Sequence, residues 1–378
     1  MRTAPIRYAT AARFARPQPA GDSPSSGEIC PQPPSRLAAL YGKPQDTRPQ
    51  GEDCLNLSIT TPSASGSRPV MVFLHGGAFL SGGGIFDWYD GSALSGEGDV
   101  VVVSVNYRLN AFGYLCLDGV SEGNLGLYDQ VEALRWVQRN IARFGGDPAR
   151  VTVFGQSAGA MSIRMLMDLA EARGLFHRAI LQSPVLAAIP QSRAAAAEIG
   201  SSFAAKVDPL TAPAPAMIKA VQEVMAESGR WLAPPFLPVE VESAFAENVH
   251  GLDVLLGWNA QEDTAFPGTD TEEHFAQPVR DLVPKLESAG ATAFTYRLNW
   301  APTGSPYGAT HCVDLPLLLG SSSAWSTAEL LGSEPWSVVE GYGRAMRRAW
   351  ATFAHTGTPG TETGDLPIDW LTARTGGR

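Results

Sequence analysis

Two serines in this chain sit in the pattern Gly-x-Ser-x-Gly: Ser157 in Gly155-Gln156-Ser157-Ala158-Gly159, and Ser121 in Gly119-Val120-Ser121-Glu122-Gly123. A serine hydroxyl is a weak nucleophile at neutral pH. It attacks a carbonyl only when a neighbouring base takes its proton and fixed N–H donors hold the oxyanion that forms. The glycines matter because they let a strand turn sharply into a helix and leave the hydroxyl exposed at the turn. Ser157 meets that condition: Val151 to Phe154 reads as a strand, and Ala158 to Leu169 as a helix. The plainer reading of Ser157 is a helix cap. Ser121 lies between a Leu/Cys run and a later helix start, and reads as a loop serine.

Donors for an oxyanion are available upstream. His75-Gly76-Gly77-Ala78-Phe79 follows the apolar run Val70 to Leu74. Adjacent glycines let the backbone N–H groups of Gly76 and Gly77 approach an oxygen, and the N–H of Ala158 completes a three-donor hole. Taken alone, the Gly-Gly pair would be an ordinary turn; its pairing with a downstream elbow gives it a chemical reading.

The elements that must carry these residues are legible as apolar runs. Val70–Leu74, Val100–Val105, Val151–Phe154, Ala179–Leu181, Val254–Leu256 and Phe294–Tyr296 are short, continuous and rich in β-branched or aromatic residues. Such runs suit parallel strands covered on both faces. Between them, Leu127, Val131, Leu134, Val137, Ile141 and Phe144 recur every three or four residues, as do Val338, Tyr342, Met346, Trp350 and Phe353. These are amphipathic helices, and alternation of strands with helices reads as α/β. Residues 187–216 are rich in Ala and Pro, which suits a surface helix and loop or, more pointedly, a mobile cap.

Composition removes other classes. The 378 residues suit one large domain, and 39 glycines with 29 prolines imply many loops. A net charge of −10 opposes nucleic-acid binding, which needs a basic footprint. No apolar run reaches the roughly 18 residues of a membrane span. Arg2, Arg7, Arg13 and Arg16 precede the first acid, Asp22, as in a transit peptide, but no apolar core of a secretory signal follows. Four cysteines, Cys30, Cys54, Cys116 and Cys312, lack metal or redox spacing, and no dinucleotide, P-loop or zinc motif occurs. No metal and no cofactor is expected.

Beyond the elbow, several blocks together resemble the type-B carboxylesterases, the α/β-hydrolase family that includes cholinesterases and bacterial p-nitrobenzyl-esterase-like enzymes. Gly51-Glu52-Asp53-Cys54-Leu55-Asn56-Leu57 is similar to the family's E-D-C-L-x-L signature, and His75 to Phe79 to its oxyanion loop. Gly123 to Gln130, Phe144 to Pro148 and the Gly155 to Gly159 elbow match further blocks, with Gln156 where the family more often has Glu. Ile6 to Ala9 and Arg13-Phe14 resemble its early segment, which implies that the N-terminal arginines belong to the folded domain. Family members usually begin earlier, and the intervals from Ser157 to Glu262 and on to His311 look shorter than in typical relatives.

The resemblance implies an α/β-hydrolase fold, with a mostly parallel sheet, helices on both faces and a reduced helical cap. It implies one domain over residues 1–378, with about 185–250 as a cap or regulatory insertion. It also implies the order serine, acid, histidine. His75 belongs to the oxyanion loop, His177 and His250 precede any late acid, His274 reads as surface and His355 as a polar helix end. His311, in Gly308-Ala309-Thr310-His311, resembles the catalytic histidine block, with Cys312 where a glycine is common. The block Leu256 to Asp263 resembles the one carrying the acid, which maps to Glu262; a loop shifted by one residue would use Asp263 instead.

The implied reaction is ester hydrolysis through an acyl-enzyme, with small-molecule esters as substrates, and with no nucleic-acid or membrane partner. Short-chain or aryl esters are expected, in a shallow, open pocket. Phe79, Phe86, Trp88, Tyr89, Trp258 and Phe266 flank the motifs and line either a pocket or the core. Ser183 matches a serine near the triad in relatives, and Asp129 is expected to support the elbow's surroundings. Cys30 and Cys54 match positions that pair in secreted relatives; here both are expected reduced, in a cytoplasm. A monomer and a homodimer fit equally. The competing readings are a hormone-sensitive-lipase-type esterase, an amidase or carbamate hydrolase on the same fold, and a non-catalytic cholinesterase-like binding protein.

Overall fold

Val70, Met71, Val72, Phe73 and Leu74 are all fully buried, as a strand with no solvent face must be. The structure is a computed structural model that describes residues 1–42, 48–230 and 232–372. In chain order, the strands of the main sheet among these residues are β1 (Ile6–Thr10), β2 (Gln18–Pro24), β3 (Asn56–Thr60), β4 (Arg68–Leu74), β5 (Val101–Val105), β6 (Gly146–Gln156), β7 (Arg178–Gln182), β8 (Asp253–Asn259), β9 (Thr292–Leu298) and β10 (Ile368–Thr372). Their order across the sheet is β10-β9-β8-β7-β6-β4-β5-β3-β1-β2. From β5 through β4 and β6 to β9 every pairing is parallel. The flanks, β10 on one side and β3, β1 and β2 on the other, are antiparallel. Each apolar run read from the sequence is the core of one of the parallel strands.

Helices flank the sheet on both faces. Helix α1 (Leu125–Asn140) buries Leu127, Val131, Leu134 and Val137, and a 3-10 turn over Ile141–Phe144 carries the stripe on until Gly145 ends it at φ +78°. Helix α2 (Ala158–Asp168) follows β6 through the serine elbow. Helices α3 (Arg193–Ala204) and α4 (Ala214–Ser228) fall within the segment expected to form a cap. Helix α5 (Trp336–Thr356) turns Val339, Met346, Trp350 and Phe353 inward. Its buried face begins at Val339 and not at Val338, which is half-buried. Ser121 lies in a two-residue strand paired with Cys116–Leu117, with its hydroxyl accepting from Gly123 N at 3.3 Å. No helix among the described residues is long and apolar enough to cross a membrane.

Candidate active site

The parallel strands β4, β6, β7 and β8 end side by side, and each hands its chain to a loop that carries one candidate group. At the end of β6, Ser157 has φ +57° and ψ −123°, a conformation that costs a residue with a Cβ about 1–3 kcal/mol. The turn is held from both sides. Ser157 N–H donates to Gln182 O of β7 at 2.9 Å, and Met161 N–H donates to Ser157 O at 2.9 Å. Gly159 lies so close to β4 that an added Cβ would stand 1.9 Å from Leu74 O. The elbow therefore needs glycine there for packing, whatever the chemistry of the serine.

The loop after β4 faces this turn. A Cβ built on Gly76 would lie 3.2 Å from Ser157 Cβ, which places that glycine's backbone directly against the serine. Gly77, Ala78 and Phe79 follow with φ of +114°, +57° and +60°. Among the described residues, no hydrogen bond engages the N–H groups of Gly76, Gly77 or Ala158. They remain free to receive an anionic oxygen, with the N-terminus of α2 behind Ala158 adding its positive end. His75 is buried, stacks on Tyr107 at 4.4 Å between ring centroids, and is pushed down to about 4 by burial. It is neutral at physiological pH and shapes the loop.

The acid and the histidine meet across two loops. Asn259 Nδ2 donates to Thr310 O at 3.0 Å, Gln261 N–H to Ala309 O at 2.9 Å and Ala309 N–H to Gln261 Oε1 at 2.9 Å. These bonds fix the segment after β8 against the segment before His311. Glu262 and His311 are both fully buried, and Glu262 Oε2 lies 2.5 Å from His311 Nδ1. The other carboxylate oxygen accepts from Asn259 N–H at 2.7 Å. Asp263 instead turns to Thr271, so the geometry separates the two adjacent acids. Burial pushes the imidazole down, but Cys312 and the Glu262 carboxylate outweigh it, and His311 lies well above the ordinary histidine value. Its Nε2 is 3.1 Å from the side-chain nitrogen of Gln156, the residue before Ser157. A hydroxyl brought to Nε2 of this imidazole–carboxylate pair can pass its proton to the histidine while a carbonyl is attacked.

Of the aromatic residues flanking the motifs, Phe266 reaches the site: its ring is 4.9 Å from that of His311. Phe79 packs edge-on to Tyr114, Phe86 on Trp88 and Tyr89, Trp88 on Trp325 and Tyr41, and Trp258 lies under Arg280. Ser183 is buried at the end of β7 with an unpartnered hydroxyl and φ +50°. Asp129 is fully buried on α1, clasped by Arg108 through Nε at 2.8 Å and Nη2 at 2.7 Å. All four cysteines are buried free thiols, and the neighbouring Cys30, with burial, pushes the Cys54 thiol well above its ordinary value. The other histidines lie elsewhere: His177 accepts from Val151 N–H, His274 caps a surface turn at Asp270, and His355 meets Gly98 O at the end of α5.

Four further residues belong to the site. Gln156 stood inside the elbow pattern as its variable position. Asp314, three residues after His311, is fully buried, accepts from the Gln182 amide, and is pushed up to about 6 by burial and by Glu262. Gln182 is the β7 partner of Gln156 in the sheet register. Phe275, 5.5 Å from the His311 ring, comes from the turn Glu272–Ala276, which no local pattern ties to the histidine.

Known proteins resemble this chain in sequence and in fold. The sequence model of the carboxylesterase family matches residues 4–228. A probable N-octanoylanthranilate hydrolase of Rhodococcus erythropolis is 38% identical, over 93% of this chain and 88% of that protein. The para-nitrobenzyl esterase of Bacillus subtilis (strain 168) is 34% identical, over 94% of this chain and 85% of its own length. A solved PNB esterase superposes with a TM-score of 0.84 at 29% identity, covering 97% of this chain and 89% of the other. The sheet order, the strand-to-helix serine turn and these matches converge: the chain belongs to the carboxylesterase family and is a carboxylic ester hydrolase with the α/β-hydrolase fold.

Proposed function

We propose that ester hydrolysis here runs through Ser157, His311 and Glu262, with the N–H groups of Gly76, Gly77 and Ala158 as the oxyanion hole. The observation that carries this reading is the buried 2.5 Å contact between His311 Nδ1 and Glu262 Oε2, on a ring whose other nitrogen faces the serine turn. Ser157 attacks the ester carbonyl as His311 takes its proton. Glu262 steadies the imidazolium, and the three N–H groups hold the tetrahedral oxyanion. His311 then protonates the leaving alcohol. In the second half-reaction it draws a proton from water, which cleaves the acyl-enzyme. The preferred substrates are short-chain or aryl esters, with Phe266 as an apolar wall beside the histidine.

The segment 185–250 serves as a cap over the site within a single domain. In support, the turn Leu186–Ala188 leaves β7 just after Ser183 and packs on the turn Glu272–Ala276 that carries Phe275. A cavity of about 400 Å³ lies against it, lined in part by Ala187, Ala188 and Ile199. The buried free thiols suit a reducing compartment such as the cytoplasm. The 38% identical relative supports a second activity. Its name specifies an N-acyl bond, so an amide substrate is a reasonable companion to esters.

The test is turnover of aryl and alkyl esters, a carbamate, an anilide and N-octanoylanthranilate, with Ser157→Ala as control. The expected result is ester turnover that falls by at least about 10⁴-fold in the variant. Equal turnover by Ser157→Ala would sink the mechanism. Amide turnover by the wild type alone would establish the second activity.

A further inference from the structure

The nitrogen of His311 that must accept the serine proton is already occupied. With Nδ1–H donating to Glu262, Nε2 carries only a lone pair, and the group placed on it is the Gln156 amide nitrogen at 3.1 Å. Gln156 is fully buried, and its Oε1 is a buried acceptor with no partner. That oxygen lies toward the oxyanion loop, 3.1 Å from where a Cβ on Gly76 would stand. The amide therefore sits between Gly76 and the histidine, with its donor used and its acceptor idle.

We propose that Gln156 is a positioning residue for the histidine base: its N–H caps the His311 Nε2 lone pair in the resting enzyme and yields that nitrogen to the Ser157 hydroxyl when substrate binds. The inference rests on the triad reading above. Capping by a donor fixes the ring plane without adding charge, and it favours the neutral imidazole that the reaction requires. Once the serine proton has moved to Nε2, two donors would face each other. Rotation of the amide then brings the idle Oε1 to the Nε2–H of the imidazolium. A carboxylate in the same place could only accept, and would favour the imidazolium before substrate arrives.

The surroundings of the ring make this amide the adjustable element. Among the described residues, the titratable groups facing His311 are Glu262 after β8 and Cys312 and Asp314 on its own segment. Behind them stand Tyr296 of β9, near Glu262 and Asp314, and Tyr41, near Cys312. Phe266 and Phe275 close two remaining sides with uncharged rings. Among the described residues, the hydrogen bond at Nε2 comes from the Gln156 amide, a group that both donates and accepts.

The experiment is the pH dependence of kcat/KM for one aryl ester, in wild type, Gln156→Met and Gln156→Glu, with thermal midpoints as a folding control. Methionine keeps the length and removes the donor. Its acid limb is expected to rise by a few tenths of a pH unit, with kcat/KM lower by about 3- to 10-fold. Glutamate is expected to raise the limb by about one unit or more. Acid limbs of both folded variants that superimpose on wild type overturn the proposal. If the glutamate variant does not fold, the methionine variant decides alone, with the His311 Nδ1–H proton resonance followed against pH as its second readout. Survival of activity in Ser157→Ala would instead overturn the triad reading, so the two failures are distinguishable.

Discussion

His311 Nδ1 and Glu262 Oε2 lie 2.5 Å apart with both side chains wholly removed from solvent. A carboxylate buried in this way is tolerable only because it is fully used: its second oxygen takes the Asn259 N–H at 2.7 Å. Glu262→Gln should keep the shape and lose the charge that supports an imidazolium. We expect kcat to fall by about 10²- to 10⁴-fold, with KM changed much less, in steady-state ester hydrolysis. Asp263→Asn should leave kcat within about threefold, because that acid faces Thr271. A larger loss for Asp263→Asn than for Glu262→Gln would reverse the assignment.

The same pair sets the acid side of the pH profile. Burial lowers the imidazole, Cys312 and Glu262 raise it, and the net direction is up. In the proposed mechanism the base must be neutral to accept the serine proton, so activity should be lost as pH falls through the folded value. The acid limb of kcat/KM should therefore lie above the ordinary value of about 6.5. In Glu262→Gln the residual activity should show a limb at lower pH than wild type. A wild-type limb below 6 would contradict the charge arrangement described.

Gly159 carries a structural demand that can be tested apart from chemistry. An added Cβ would stand 1.9 Å from Leu74 O, a backbone atom at the end of a central strand. Neither the strand nor the helix start can give way cheaply, since β4 is hydrogen-bonded on both sides. Gly159→Ala should lower stability by about 3 kcal/mol or more, read as a denaturation midpoint or as loss of soluble protein. An unchanged midpoint would mean that β4 and α2 are not packed as described.

The sequence showed the strands and the serine turn because both follow local rules. Continuous Val/Ile/Leu runs become buried parallel strands, and glycines bracket a turn that admits nothing larger. Ser157 as a candidate nucleophile and the Gly76-Gly77 loop beside it were legible for that reason. His311 and Glu262 needed the family resemblance, since no local pattern separates His311 from five other histidines. The contacts of Gln156, Asp314, Gln182 and Phe275 are not legible in the sequence for a further reason. Their importance lies in contacts between segments distant along the chain, such as Gln156 with His311 and Gln182 with Asp314. The buried face of α5 shifted to Val339 for a related cause: packing at a helix's first turn depends on where the helix is anchored, and periodicity alone does not fix that.

Asp129 is expected to act through stability and not through the reaction. It is fully buried, and Arg108 meets it with two side-chain nitrogens, Nε and Nη2, and with its own backbone N–H at 3.0 Å. Removing one partner would strand the other charge away from water. Asp129→Ala should cost about 3–5 kcal/mol in denaturant titration. A small cost would show that water reaches Arg108 when its partner is lost.

Asp314 makes the opposite prediction, a substitution that stabilises. Burial and the nearby Glu262 raise its carboxyl to about 6 from an ordinary 3.8. Between those two values the folded chain holds a proton that the unfolded chain releases. Raising the pH through that window therefore favours unfolding, and the full penalty, about 3 kcal/mol, is present above pH 6. Asparagine imitates the protonated acid and can still accept from the Gln182 amide that Asp314 now receives. Asp314→Asn should therefore gain up to about 3 kcal/mol over wild type at pH 8 and little at pH 4, measured by urea unfolding at the two values. Equal stabilities at pH 8 would show that the carboxylate is solvated or paired in a way that the buried contacts do not provide. If the gain in stability comes with slower ester turnover, the raised acid is retained for its effect on the neighbouring His311–Glu262 pair.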